Sequence, residues 1–186
     1  MSVLGATKLW ELLKAPNPED RLFVTPILED DQIGPASIDI RLGAQFIVTR
    51  RGNLPFFDPK KDQAQRQGYQ AVHTLNPGGV FYLHPNELVL ASTLEYIRLP
   101  VSVAGHVTSR SRWGRAGLVI ATATAIHPGF TGTITLELIN LGEVPLALYP
   151  EERVAQLIIS ECIGGTAYDG SLSYQTGATF ASLNET

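Results

Sequence analysis

The chain has 186 residues, 44% of them hydrophobic and 17% charged, a net charge of −4 and one cysteine, Cys162. That size buries a core within a single domain over residues 1–186. The acidic balance excludes a broad basic face for nucleic acid. One cysteine excludes an internal disulfide framework and a Cys-based zinc site. No run is long enough to span a membrane, and the first residues lack the basic-then-apolar pattern of a secretory leader. The expected setting is the cytoplasm.

In chain order, residues 1–20 form an N-terminal helical segment. Residues 7–14 (TKLWELLK) read as a short amphipathic helix, with Thr7 as a candidate cap and Pro16 and Pro18 as stops. Short apolar runs between Pro and Gly then predict strands at 36–42, 45–49, 80–83, 88–94, 96–99, 103–108, 133–140, 146–148 and 154–161. Residues 119–124 are small and apolar and fit either a buried strand or a pocket wall. Residues 51–78, with turn signals at Gly52-Asn53, Asp58-Pro59 and Asn76-Pro77, read as a surface insertion. Residues 164–186 read as a flexible tail, ordered only if something holds it. Many short strands with one peripheral helix imply a mainly β, antiparallel barrel or jelly roll.

Residues 109–118 (SRSRWGRAGL) stand apart, with three arginines, two serines and two glycines in ten positions. Such a segment is a poor hydrophobic strand and a good anion cradle. Arginine forks match phosphate oxygens, and hydroxyls and glycine-exposed amides complete the cradle. Because the rest of the chain is acidic, the positive charge is local. That points to a small polyanionic ligand. A solvated basic loop without a ligand is the plainer alternative.

Four segments together resemble the dCTP deaminase/dUTPase superfamily, and more closely its dCTP deaminase branch. Residues 35–43 (PASIDIRLG) are similar to "PASxDLRLG". Residues 109–118 are similar to "GRSSLARLGL". Residues 128–140 (PGFTGTITLELIN) are similar to "DPGWxGxITLE", and 150–158 (PEERVAQLI) to "GxRIAQLI". The resemblance covers roughly residues 27–177, in order. It implies a distorted jelly-roll or β-barrel of the dUTPase-like type, a homotrimer with sites between subunits, and a nucleoside triphosphate substrate, dCTP first, bound with Mg²⁺ through its phosphates. The expected reaction is hydrolytic deamination of dCTP to dUTP and ammonia. A dUTP diphosphatase or bifunctional dCTP deaminase/dUTPase, and a non-catalytic nucleotide-binding trimer, are the alternatives. No nucleic-acid or membrane partner is expected.

By the same resemblance Glu137 is the proton shuttle. A carboxylate on the inward face of its β-branched run would be costly to bury unpaired, although the residues alone equally allow a solvent-facing strand glutamate. Ser111, Arg115 and the Ala123 carbonyl would orient water. Arg110, Ser111, Arg112, Arg115 and Gln175 would hold phosphate. Ile126, His127, Thr135, Gln156 and Tyr168 would meet the rest of the substrate. A structural hydrogen bond is as good a reading for Gln156 and for Arg153, and Asp39 reads as an anchor of the early strand. Zinc is not expected, because a zinc deaminase needs an H-x-E…P-C-x-x-C pattern. The chain also departs from the pattern. His127 replaces an Asp, Thr124-Ala125 replaces a His-Arg pair, the loop after Gly117 is one residue short, and Ser171 stands where a Lys is expected. Imidazole cannot supply the anionic acceptor of the missing Asp. That substitution argues against dUTP hydrolysis.

Overall fold

A computed structural model of the chain describes residues 2–49, 70–121, 125–170 and 173–179. The elements are α1 (Ala6–Leu13), β1 (Phe23–Thr25), a 3-10 turn (Asp30–Gln32), β2 (Ile38–Thr49), β3 (Gln70–Thr74), β4 (Phe81–Leu83), β5 (Leu88–Arg98), β6 (Val103–Ser109), α2 (Ser111–Arg115), β7 (Leu118–Ile120), β8 (Ala125–Ile126), β9 (Thr131–Asn140), β10 (Leu146–Leu148) and β11 (Arg153–Glu161). One sheet runs β7-β9-β5-β2-β11-β6-β8, with β1 added to β5 and β3 to β2; β10 and β4 form a separate ribbon. The fold is mainly β, as expected, and the sheet curls into a half-barrel.

The curl has a local cause. The first part of β2, Ile38 to Arg41, pairs with β11; the second, from Leu42 on, pairs with β5. One long strand therefore serves both sides of the curl, where the sequence predicts two. Gly43 sits at the changeover. A Cβ there would lie 2.5 Å from the Ser92 Oγ and 2.9 Å from the Ser92 and Thr93 carbonyl oxygens, so no larger residue fits. Strand β5 answers with a register shift between Ser92 and Tyr96. The Thr93 hydroxyl holds it by donating to the Glu95 carbonyl (2.8 Å) and accepting from the Ile134 N–H (2.9 Å). The core collects one face of each strand, including Leu136 and Leu138 of β9 and Leu157 and Ile159 of β11. Each such side chain contributes roughly 1.5–3 kcal/mol when fully buried. Phe46 stacks on Phe81 with ring centroids 4.4 Å apart.

Other expectations change in the folded chain. Helix α1 begins one residue earlier, with Gly5 as its N-cap and no side-chain cap. The Pro35 carbonyl accepts from the Ala6 N–H (2.8 Å), so Thr7 is not needed as a cap and lies in the first turn. The end of the supposed insertion is strand β3, paired with β2; residues 50–69 lie outside the described set. Of residues 119–124, Val119 and Ile120 belong to β7, paired with β9. The tail is held where described: Gln175 bridges Gly132 in parallel, and the Thr133 N–H donates to the Gln175 carbonyl (2.8 Å). Among the described residues no helix is long and apolar enough to cross a membrane.

Candidate functional site

The cradle predicted at 109–118 forms the one-turn helix α2 between β6 and β7. The Ser109 hydroxyl accepts from the Ile120 N–H (3.1 Å), and the Val154 carbonyl accepts from the Arg110 N–H (3.1 Å). The Trp113 indole N–H donates to the Arg153 carbonyl (3.1 Å), pinning one side of α2 to the start of β11. Ser111, Arg112 and Arg115 remain exposed. The three arginines differ in what they hold. Arg110 pairs with Asp39 at 3.2 Å and Arg112 with Glu152 at 3.5 Å. Arg115 and the Ser111 hydroxyl have no side-chain partner among the described residues.

Behind α2 lies an ion-pair network of which the sequence offered only Asp39 and Arg153. Glu95 is fully enclosed, and Arg41 and Gln32 are buried. One Glu95 carboxylate oxygen accepts from the Arg41 backbone N–H (2.8 Å). The other accepts from the Gln32 amide (2.9 Å) and the Arg41 guanidinium (3.2 Å). Burial pushes the Glu95 carboxyl up, against the pull of the Arg41 donors. Toward the surface, Arg153 is gripped by Glu29, by Asp31 at 2.5 Å and by Asp39 at 3.3 Å. The hydrogen bond from Arg153 holds the Asp31 carboxyl below its ordinary range, and Asp31 in turn raises Arg153. The available signal was a lone Glu inside the apolar run 88–99, which instead reads as a break between two strands.

Glu137 is not on the inward face. Strand period two sends Leu136 and Leu138 into the core, so Glu137 points to the opposite face and is half-buried. Its cross-strand neighbour there is Leu90, itself opposite Ile47. Leu88, Val119 and Val72 extend this outer surface as exposed apolar residues. The Glu137 carbonyl accepts from the Ala121 N–H (2.8 Å), which carries the chain after α2 alongside Glu137.

The remaining candidates divide. His127 and Tyr168 come together, stacked at 5.4 Å with an interplanar angle of 15°, and Phe130 lies against Tyr168. The Thr135 hydroxyl is engaged by the Thr179 N–H (3.1 Å). The side chain of Ile126 is in the core, because β8 pairs with β6 and turns it inward. The Gln156 amide donates to Ser37 and to Asp39, both at 3.2 Å, which is the structural alternative. Gln175 meets no arginine of the cradle; its backbone is on β9, and its buried amide nitrogen has no hydrogen-bond partner among the described residues. Ala123, Thr124 and Ser171 lie outside the described residues. Two surface recesses, of about 290 Å³ beside Arg21, Tyr96 and Arg98 and about 590 Å³ beside Trp10 and Lys14, include none of the candidate residues.

Known proteins are similar to this chain in sequence and fold. A family described as dCTP deaminase-like matches residues 3–162. A Methanobrevibacter smithii protein named "dCTP deaminase, dUMP-forming" is 39% identical over 159 residues, 85% of this chain and 79% of that one. A Halorubrum lacusprofundi protein named "dCTP deaminase" is 43% identical over 146 residues, 77% of this chain and 71% of that one. The fold is similar to the crystal structure of 2'-deoxycytidine 5'-triphosphate deaminase from Agrobacterium tumefaciens, with TM-score 0.62 and 21% identity. That match covers 84% of this chain and 46% of the other, so the chain spans less than half of that structure's length.

Proposed function

The chain belongs to the dCTP deaminase-like family, and we propose that it is a hydrolytic enzyme that deaminates dCTP, releasing dUTP and ammonia, from sites shared between the subunits of a homotrimer. The observation that carries this reading is the division among the arginines: Arg115 and Ser111 are uncommitted, beside an Arg110 with one carboxylate partner. A triphosphate meets such donors with charge-assisted, forked hydrogen bonds.

In this reading Arg110, Arg112 and Arg115 receive phosphate oxygens, and Ser111 and Arg115 orient the attacking water and the tetrahedral centre. Ala123 would add a carbonyl acceptor for that water. Glu137 takes a proton from the water and passes protons to cytosine N3 and to the departing amine, as a positioned general acid–base. Its apolar outer face is open within one chain, and a second subunit covering it would exclude bulk water. That supports a shared site. His127 and Thr135 would face the sugar and base, with Tyr168 fixing His127. Gln175 would reach phosphate only after its tail leaves β9. Mg²⁺ would arrive on the triphosphate and offset its charge while keeping several waters. Water activation by side chains and backbone, without zinc, is part of the proposal.

A second reading concerns the product. Several relatives carry "dUMP-forming" in their names, which favours deamination coupled to loss of diphosphate. His127 in place of a carboxylate favours dUTP, since imidazole cannot supply the anionic acceptor that would serve a second water. The test is incubation of the purified protein with Mg²⁺ and dCTP, CTP, dUTP or UTP, with chromatography of all products. The proposal expects dUTP and ammonia from dCTP; dUMP and diphosphate would establish the second reading. Binding without turnover of any of the four would leave a nucleotide-binding protein. Light scattering at monomer mass would remove the shared site.

A further inference from the structure

We propose that Asp39 is a positioning residue for the nucleotide's phosphates, acting by holding the Arg110 guanidinium in a fixed direction from a carboxylate that is itself immobilised. The inference rests on the reading that residues 109–118 bind a nucleoside triphosphate. Asp39 is buried on β2. One of its oxygens accepts from the Gln156 amide (3.2 Å). The other is shared, 3.2 Å from an Arg110 nitrogen and 3.3 Å from an Arg153 nitrogen.

The two arginines on that oxygen have different duties. Arg153 meets Glu29, Asp31 and Asp39, so three of its five donors are engaged within the chain. It helps to fix Asp39. Among the described residues Arg110 has Asp39 as its one ion-pair partner, through a single nitrogen, and its side chain is 27% exposed. The rest of its five-donor fork remains for an oxyanion. A guanidinium tethered at one nitrogen loses less freedom on binding than an untethered one. Because Arg153 and the Gln156 amide also hold Asp39, the carboxylate stays in place when phosphate binds.

The experiment compares steady-state deamination of dCTP and of 2'-deoxycytidine, which has no phosphate, by wild type, Asp39→Asn, Arg110→Gln and the double variant. Asp39→Asn should raise KM for dCTP about tenfold, the size of one lost charge-assisted hydrogen bond. It should leave kcat and the KM for deoxycytidine near wild type. In the Arg110→Gln background, adding Asp39→Asn should change KM no further. Equal loss on both substrates, or an undiminished effect of Asp39→Asn without Arg110, would make Asp39 purely structural and overturn the proposal. Tighter dCTP binding by Asp39→Asn would also overturn it, by making Asp39 a competitor of phosphate. If Asp39→Asn does not fold, Asp39→Glu keeps the charge but displaces it by one methylene. It should still raise KM for dCTP selectively, and an unchanged KM would refute the idea. Wild type that neither turns over dCTP nor binds inorganic triphosphate in calorimetry would defeat the functional reading itself.

Discussion

The enclosed cluster around Glu95 and the open segment around Arg115 use the same side chains for opposite ends. Inside, Arg41 meets a carboxylate and an amide in a space that excludes water, and Glu95 fills its acceptor sites with three donors. Outside, Arg115 and Ser111 meet no side-chain partner among the described residues. Asp39 and Arg153 link the two regions. Charge saturated by the fold holds elements together, and charge left unsaturated is available to a ligand. The difference lies in what surrounds each guanidinium.

The sharpest way to break this contrast is to open the enclosed side. Glu95→Ala strands the Arg41 guanidinium in the core and should cost about 3–5 kcal/mol, read from urea unfolding midpoints. Glu137→Gln should do the reverse, lowering deamination about 10²–10⁴-fold with an unchanged unfolding midpoint, because its side chain is outside the core. Unchanged turnover would remove Glu137 from the mechanism. Gly43→Ala forces a Cβ against β5 and should cost about 1–3 kcal/mol in the same unfolding assay.

The pH dependence separates the two layers of the network by sign. Asp31 is held below its ordinary range, so its contribution is present above its unfolded pKa and is lost as pH falls through the lower, folded value. Glu95 is raised, so its contribution is full below its unfolded pKa and declines as pH rises through the folded value. Unfolding midpoints from pH 7 into the acid range should therefore flatten in Asp31→Asn relative to wild type, an effect kept small by solvent around Asp31. Arg112→Ala should have the smallest stability effect, at most about 1 kcal/mol, since its pair with Glu152 is exposed.

Much of the fold was legible because strands announce themselves by alternation and turns by Gly and Pro. The runs at 103–108, 133–140 and 154–161 became β6, β9 and β11 nearly as read. The divided readings at 43–44 and 95 failed for one reason: both lie at the corner where β2 and β5 shift register, and a strand that bends loses its period. Strand β1 was too short to show a pattern, and β3 lay in a polar stretch where only its partner β2 makes it a strand.

The sequence by itself determined that the chain is mainly β, that its positive charge gathers at 109–118, and which ordered motifs place it beside the dCTP deaminases. Those properties depend on composition, local period and residue spacing. Only the tertiary structure decided that Glu137 faces outward, that Ile126 is a core residue, that Gln156 bonds to Ser37 and Asp39, and that Arg110 and Arg153 share one carboxylate. Each depends on residues far apart in the chain, brought together by strand register and burial that no local window contains.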